Sequence, residues 1–566
     1  MTDLAPPTIA PPARSFHLGT RGWVAASLLI AGLVLLPVLA LGWQAAQGSE
    51  GLWTHLARHV LPHALGQTAI LMGGVGVLTA VIGTTMAWLV TAYDFPGRRH
   101  LEWALLLPLA VPTYIVAYAY LDLLHPLGPV QSVIRMLLGY DSPRDFRLPD
   151  IRSMTGAIGL LSLVLFPYVY LPTRAMFMTQ AANLVEAART LGTSRGRIFW
   201  RVALPLARPA IAVGVSLALM ETLNDIGASE FLGVRSLTIS VYTTWVTRSD
   251  LPGAAQIALA MLVLVVILIS LERWARRRQR YSVGVQRARS LARQPLRGRA
   301  GIAALCLGLV PVVFGFVLPA LYLAIEAWQR FRFAGLSDRL LIEARNTFLL
   351  SSVATVLVLV CGLVIACAVR VVPGRGMQIV HRVASVGYAM PGTILALGIL
   401  VVAAGLDQWI DRTARAWLGA GTGLVLMGSG AALGYAYLAR FLAISVGSVE
   451  AGLTRIPRSY DQSARTLGQG VTGMLRRVHL PLSKPALAAA GLLVFVDCMK
   501  ELSATLLLRP LNFETLATHL YGEASRGTYE EGAIAAWAIV LVGILPVILL
   551  ARVNHSRMQG DTPKQD

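Results

Sequence analysis

The stretch EAARTLGTSRGRIFWRVALP, residues 186–205, is polar and rich in arginine and lies between two long apolar runs. A related stretch, QSARTLGQGVTGMLRRVHLP, occupies residues 462–481. The pentamer Ala-Arg-Thr-Leu-Gly begins at Ala188 in the first stretch and at Ala464 in the second, 276 positions later, and Leu-Pro ends both. Matches spread over about twenty residues at one offset indicate an internal duplication of the chain.

Each copy is predicted to form a short helix, a turn and a second, basic helix that leads into the next apolar run. Residues from Glu186 to Leu191 favour helix, and Gly192 can adopt the positive φ that ends one. Leu204-Pro205 then opens the apolar run. Such a surface suits docking by another protein. The plainer alternative, which the duplication disfavours, is an amphipathic loop held near lipid headgroups by its arginines.

The composition predicts an integral membrane protein. Of 566 residues, 55% are hydrophobic and 14% are charged, and the mean hydropathy is +0.63. The formal net charge of +20 could suggest nucleic acid, but the arginines lie in short loops between apolar runs. That is the positive-inside pattern of membrane proteins, so lipid is expected as a partner and nucleic acid is not.

Twelve spans are predicted, six in each half, which places both termini in the cytoplasm. The halves are residues 21–273 and 301–552, separated by a basic cytoplasmic linker (274–300) and flanked by a disordered tail (1–20) and a second cytoplasmic tail (553–566). The predicted spans are about 22–43, 66–92, 101–123, 155–176, 207–228, 254–273, 301–328, 346–371, 380–404, 420–444, 484–505 and 533–552. Because six crossings return the chain to its starting side, the all-α fold is predicted to be two parallel six-helix repeats, each with a cytoplasmic coupling loop.

No enzyme is expected from the reactive side chains, and no bound cofactor. The four cysteines fall in predicted spans, share no metal-ligand spacing and are expected to be free buried thiols: Cys306, Cys361, Cys367 and Cys498. No lysine follows a glycine, which excludes the Gly-Lys pair of a phosphate-binding loop from this chain. If ATP drives the protein, a separate subunit must hydrolyse it.

Two pairs of acids follow the duplicated stretches inside predicted spans. Glu221 and Asp225 match Asp497 and Glu501 at the offset of 276, and the i, i+4 spacing predicts that each pair shares one helix face. Ionisable groups in a membrane usually face a bundle interior or a water-filled path, and oxygen ligands suit hard cations. These acids are therefore predicted to line a substrate pathway. The alternative is that the helices end there and that Lys500 pairs with Asp497 at the outer headgroups.

The duplicated stretch resembles the loop of ABC importer permeases that docks into the ATPase subunit. The pattern is Glu-Ala-Ala, three residues, Gly, and a later Leu-Pro. The residues that carry it are Glu186, Ala187, Ala188, Gly192, Leu204 and Pro205, and then Ala464, Gly468, Leu480 and Pro481, with Gln462 and Ser463 in place of Glu-Ala. The resemblance implies coupling loops at 182–206 and 458–482, a cytoplasmic ABC ATPase dimer as partner and a bacterial inner membrane location.

A second resemblance is narrower. Residues 500–510, 512–517 and 240–245 look like segments of the fused two-half permeases of ferric-iron importers. That likeness implies a periplasmic or lipoprotein iron-binding partner, no fixed metal, and transient Fe³⁺ contact at the pathway acids. Thiamine permeases, or permeases for other small organic cations, share the layout and remain an alternative. An ion-coupled secondary transporter is an alternative of another class, but a matched pair of docking loops has no use there.

Overall fold

The computed structural model is almost entirely helical. It describes residues 14–49, 51–179, 188, 193–277, 293–372 and 374–559. In the first half the helices are α1 Arg14–Ala46, α2 Leu52–His55, α3 Leu61–Ala92, α4 Arg98–Ala104, α5 Thr113–Leu123, α6 Pro129–Leu138, α7 Met154–Leu165, α8 Pro167–Thr179, α9 Arg195–Ile198, α10 Leu204–Asn224, α11 Gly227–Phe231, α12 Leu237–Val246 and α13 Leu251–Arg277.

The second half repeats this layout. Its helices are α14 Arg299–Val312, α15 Leu318–Ala334, α16 Asp338–Val371, α17 Arg375–Ala384, α18 Gly392–Leu418, α19 Ala431–Thr454, α20 Arg458–Thr466, α21 Val471–Met474, α22 Leu480–Met499, α23 Ser503–Leu508, α24 Leu516–Arg526 and α25 Tyr529–Gln559. Two short parallel strands, β1 Tyr93–Asp94 and β2 Gln294–Pro295, pair the chain after α3 with the end of the linker.

Ten helical stretches among the described residues are long and apolar enough to cross a membrane. The number rises to twelve when two bent pairs each count as one span: 98–110 with 113–123, bent by 90°, and 154–165 with 167–178, bent by 43°. Large apolar side chains on these helices are exposed, including Leu29 at 68% and Val356 at 60%, as expected of faces that contact lipid. The predicted all-α membrane fold with about twelve spans is confirmed.

Proline explains the irregular turns. Four π-helical segments are each followed at once by Leu-Pro: Leu56–Val60, Phe199–Ala203, Val313–Val317 and Leu475–His479. Inside an α-helix a proline ring clashes with the carbonyl four residues earlier and donates no hydrogen bond. The wider π turn shifts that carbonyl, so the helix continues through the proline.

Two other prolines end up at breaks rather than inside a helix. The predicted spans 101–123 and 380–404 contain Pro112 and Pro391, whereas in the structure each is the N-cap residue of the following helix, α5 or α18. A 3₁₀ turn precedes each break, at Leu107–Ala110 and Val386–Ala389. The residue before a proline disfavours the helical conformation, and Val111 is accordingly extended, with φ −107° and ψ 122°.

The chain forms two compact units that do not coincide with the sequence halves. One unit contains α1 up to Leu39 with residues 350–389 and 434–498, and the other contains residues 40–349, 390–433 and the described residues from 499 onward. In the unit that contains α1, Tyr435 donates a hydrogen bond to the Leu33 carbonyl of that helix.

In the unit that contains residues 40–349, Tyr120 of α5 donates a hydrogen bond to the Phe314 carbonyl, between α14 and α15, at 2.6 Å. Each half therefore contributes its first membrane helix to packing with helices of the other half. Helix α1 itself begins at Arg14, inside the segment predicted as a tail.

Candidate docking and transport sites

The second predicted docking segment, residues 458–482, is described in full, and its first helix ends at the predicted place. Helix α20 is followed by Gly468, which has φ +77°. The Gly468 N–H donates to the Arg465 carbonyl and the Gln469 N–H donates to the Ala464 carbonyl, both at 3.0 Å. This pair of bonds is a Schellman motif, which requires a left-handed residue and so favours glycine. Gln462, next to Asp461, is exposed.

The first predicted docking segment, residues 182–206, is described only in part. Glu186, Ala187 and Gly192 lie outside the described residues. The Ala188 carbonyl, however, accepts a hydrogen bond from the Thr193 N–H at 3.1 Å. At the offset of 276 this bond is the counterpart of the one between Ala464 and Gln469, so the same long-range bond of the turn occurs in both copies.

After the turn, both copies have identical element boundaries at the offset of 276. Helix α9 and the π segment Phe199–Ala203 correspond to α21 and the π segment Leu475–His479, and Leu204 and Leu480 begin the long helices α10 and α22. Pro205 and Pro481 each follow as the second residue of the long helix. The duplication read from the sequence therefore holds in backbone conformation.

A buried ionic network behind the second docking segment was not found by sequence reasoning. Asp461 of α20 accepts hydrogen bonds from Arg370 Nε at 2.7 Å and from His479 Nε2 at 2.9 Å. Arg370 also donates to the backbone carbonyls of Leu453 and Ile456. The side chains of Arg370 and Asp461 are each 10% exposed and that of His479 is 1% exposed. One available signal was that Asp461 lies directly before Gln462, where the docking pattern has glutamate.

The contacts in this network favour the charged form of the Asp461 carboxylate. Burial by itself raises the pKa of Asp461, but the hydrogen bonds from Arg370 and His479 outweigh burial, and the net pKa is lowered. The network therefore joins α20 to the end of α16 through Arg370, and to the residues at the end of α19 through two carbonyls. These directional contacts hold α20 against the ends of two membrane helices.

The first half has a different ionic network. Arg98, at the start of α4, is 4% exposed and donates to Asp94 and Glu102 at 3.2 Å each. It also donates to the Val90 carbonyl at 3.2 Å, and Arg174 of α8 forms a second ion pair with Glu102. These contacts tie the end of α3 to α4 and α8.

The four predicted pathway acids fall into two structural classes. Helix α10 ends at Asn224 and α22 ends at Met499, so Glu221 and Asp497 lie within helices whereas Asp225 and Glu501 lie beyond them. The expectation that each pair shares one helix face is wrong, because the backbone has left the helical conformation at Asp225 (φ −79°, ψ 100°).

Asp225 and Glu501 serve the same local function in the two halves. Asp225 Oδ1 accepts the Ala228 N–H and Glu501 Oε1 accepts the Ala504 N–H, both at 2.8 Å. They are 7% and 6% exposed. Each carboxylate thus satisfies a backbone donor in the first turn of a short helix, α11 or α23, as an N-cap acid does.

These carboxylates lie in one polar region at the helix breaks. The Tyr114 hydroxyl donates to the Lys500 carbonyl at 3.3 Å, and the Ser503 hydroxyl donates to the Asn224 carbonyl at 2.7 Å. Asn224 Oδ1 accepts the Gly392 N–H at the start of α18 at 2.7 Å. The structure thereby brings Asp225 and Glu501 together, next to the N-terminal ends of α5 and α18.

Among the described residues, no group of three or more histidine, cysteine, aspartate or glutamate side chains is arranged to hold a metal ion. All four cysteines are free, as predicted. Cys367 and Cys498 are buried and Cys361 is partly buried, but the expectation of burial is wrong for Cys306, which is on an exposed face of α14.

The chain thus combines a helical membrane scaffold with a duplicated helix–turn–helix segment, the layout expected of a permease-type transport subunit. The family model described as "Binding-protein-dependent transport system inner membrane component" matches residues 80–281 and again residues 358–560. The chain belongs to this family. It is therefore a multi-pass inner membrane protein and the permease subunit of an ABC importer, and the family implies an ATPase and a substrate-binding protein as partners.

Proteins similar to this chain are named for the transport of different substrates. The Fe(3+)-transport system permease protein FbpB 2 of Haemophilus influenzae is 24% identical over 544 residues, which cover 94% of this chain and 98% of that protein. The molybdenum transport system permease protein ModB of Escherichia coli is 30% identical over 208 residues, or 36% of this chain and 87% of ModB. The sulfate transport system permease protein CysT of Escherichia coli is 27% identical over 267 residues, or 46% of this chain and 90% of CysT.

Proposed function

We propose that this permease carries ferric iron into the cell. The observation that carries the proposal is the alignment with a ferric-iron permease over 94% of this chain and 98% of the relative, which includes the fused two-half layout. The molybdenum and sulfate relatives each align with less than half of this chain. Acids buried near the helix breaks also favour a cationic substrate over an oxyanion, because like charges repel strongly where the local dielectric constant is low.

The ATPase dimer docks on the two coupling segments, 182–206 and 458–482, and hydrolyses ATP outside this chain. Helix α20, which is held at one end by the turn at Gly468 and joined to α16 through Asp461 and Arg370, would pass ATPase movement to the membrane helices. Rigid contacts of this kind move a packed helix as a body rather than bending it locally.

The four acids contribute in two ways. Glu221 and Asp497 contact the passing cation from within α10 and α22. Asp225 and Glu501 add negative charge to the polar region at the breaks while they hold α11 and α23 in place. An ion that has lost part of its hydration shell depends strongly on such charges.

Uptake of radiolabelled iron in cells tests this function. Neutral near-isosteres at the four acids should leave the protein inserted with its ATPase bound but reduce uptake, more for Glu221→Gln and Asp497→Asn than for Asp225→Asn and Glu501→Gln. The matched control is Asp145→Asn, at an exposed loop acid. Normal uptake in all four variants would contradict the acid-lined pathway. Uptake of molybdate, sulfate or thiamine in place of iron would contradict the substrate.

The proposed orientation has both termini and the linker in the cytoplasm. In a Cys306→Ser background, Gly284→Cys in the linker should resist an impermeant thiol reagent applied to intact cells, and Thr247→Cys, at an exposed position after α12, should react. Labelling at position 284 from outside would overturn the twelve-span orientation.

A further inference from the structure

Three oxygen-bearing side chains meet where α11, α12 and α24 come together. The Tyr521 hydroxyl of α24 donates a short hydrogen bond to the Glu230 carboxylate of α11. The ring of Tyr242, on α12, meets the Tyr521 ring edge-on, with the ring centroids 6.5 Å apart and the planes at 81°. Phe231 stacks on Tyr521 with its centroid 5.7 Å away. Two phenols and one carboxylate therefore share one small region.

The duplication brings the two tyrosines together. They are 279 positions apart, and the helices that carry them are held in the same way. The Leu237 N–H at the start of α12 donates to Thr68 Oγ1, and the Leu516 N–H at the start of α24 donates to Thr347 Oγ1, each at 2.9 Å. These threonines are also 279 positions apart, so α12 and α24 are equivalent elements.

Charge is not duplicated in the same way. At the offset of 276 that relates α11 to α23, the residue equivalent to Glu230 is Leu506, so this acid has no charged counterpart in the second half. The base Arg509 directly follows α23. Arg509 forms an ion pair with Glu514, whose carboxylate also accepts the Thr518 hydroxyl at 2.6 Å. The positive charge is therefore locally neutralised, and Glu230 gives the region a net negative charge.

The exposure of these groups suits the capture of a cation. The Glu230 residue is exposed, whereas Tyr521 is 7% exposed. Helices α11, α12 and α24 are not among the candidate membrane spans, and the predicted topology places them in outside loops. Carboxylate and phenol oxygens are hard donors, which a small trivalent cation prefers to nitrogen or sulfur. Three protein ligands leave positions of an octahedral ion open, through which the ion can pass to further oxygen ligands.

We propose that Glu230, Tyr242 and Tyr521 form an outer reception site, at which a ferric ion first contacts the permease before it enters the pathway. This inference rests on the proposed ferric-iron function. When the ion binds, the Tyr521 O–H bond breaks and its proton leaves to water. The phenolate oxygen then replaces a water ligand on the iron, and no electron is transferred. Glu230 exchanges its hydrogen bond from Tyr521 for the metal.

A spectroscopic experiment on the full-length permease with its ATPase, in lipid nanodiscs, tests the site. Ferric nitrilotriacetate is the probe, because its chelator leaves coordination positions open to protein ligands. Wild-type protein should develop the visible charge-transfer absorption of an iron(III) phenolate. Tyr521→Phe should abolish the band, Glu230→Gln should weaken iron binding by about tenfold or more, and Glu230→Asp should restore part of it. Tyr140→Phe, at an exposed tyrosine stacked on Phe146, is the matched control and should behave as wild type.

Iron uptake by cells separates this site from the proposed function. If wild-type cells take up iron but the permease shows no band, or keeps the band in a Tyr242→Phe, Tyr521→Phe double variant, the reception site is wrong and the ferric-iron function stands. If wild-type cells take up no iron, the proposed function is wrong and this inference is overturned with it. Loss of the band in Tyr521→Phe together with reduced uptake in Glu230→Gln supports both.

Discussion

The two halves of the chain make the same backbone hydrogen bonds with equivalent residues but build their ion pairs from different ones. The acceptors of the shared bonds are Ala188, Asp225 and Thr68 in the first half and Ala464, Glu501 and Thr347 in the second. By contrast, Val185 and Ala203 occupy the positions equivalent to Asp461 and His479.

The buried arginines differ in the same way. Pro-Gly-Arg occurs at Pro96 to Arg98 and again at Pro373 to Arg375. Arg98 is buried, whereas Arg375 is exposed, and the arginine that pairs with Asp461 in the second half is Arg370, five residues earlier, with a side chain 10% exposed. A turn or helix start allows few residue types because its backbone donors must be satisfied locally. An ion pair, however, can form with an arginine at a different position, as long as its side chain reaches the carboxylate.

The largest difference between halves should appear at the Asp461 network. Asp461→Ala leaves Arg370 buried without its carboxylate, which typically costs about 3–5 kcal/mol. We expect a large fall in the apparent melting temperature and loss of ATPase co-purification. Ser459→Ala, at an exposed residue of the same helix that is not one of the named docking residues, is the control and should change stability by less than about 0.5 kcal/mol. Equal effects of the two variants would show that the network does not anchor α20.

The docking turns should respond alike in both halves. Gly468→Val places a β-branched residue at φ +77°, where strain of about 1–3 kcal/mol is expected although no atom lies near the new side chain. Gly192→Val should have a similar effect, and the double variant should lose the ATPase on co-purification. Gly470→Val is the matched control, since Gly470 has φ −73° and open space around it. A double variant that is folded and retains the ATPase would refute the docking assignment.

An effect of similar size in the two halves is expected at the two threonines that hold α12 and α24. Thr68→Val and Thr347→Val each remove the acceptor of a buried N–H, at residues 1% and 2% exposed. A cost of about 1–3 kcal/mol follows for each. Thermal stability should fall by similar amounts, and Thr243→Val, at an exposed residue of α12, should change little. Unequal losses of thermal stability in the two variants would contradict the equivalence of α12 and α24.

The smallest effect should be a pH dependence confined to the second half. His519 of α24 lies 2.8 Å from Glu343 of α16, where the first half has Ser240 and Ala64. Burial lowers the pKa of His519, but the adjacent Glu343 carboxylate outweighs burial, so the pKa of His519 is raised. The stabilising contribution is then complete below about pH 6.5, the ordinary pKa of histidine, and is lost as pH rises through the raised value.

His519→Gln should remove this part of the pH dependence, and Ser240→Ala, at the equivalent position, should preserve it. Melting temperatures measured across that pH window provide the test. A wild-type stability that does not fall as pH rises would contradict the contribution of the pair.

The sequence alone determined the membrane fold, the approximate spans, the duplication and the turn at Gly468, because each depends on local patterns: apolar runs, a repeated pentamer, a glycine at a helix end. It also located Asp225 and Glu501, but not that the helices end before them. Only the tertiary structure paired Asp461 with Arg370 and Glu230 with Tyr521, which are 91 and 291 positions apart. Only the tertiary structure, likewise, placed α1 against helices of the second half. Apolar helices look alike in sequence and pack by the shape of their surfaces, so the partners of a buried charge are fixed only when the helices are assembled.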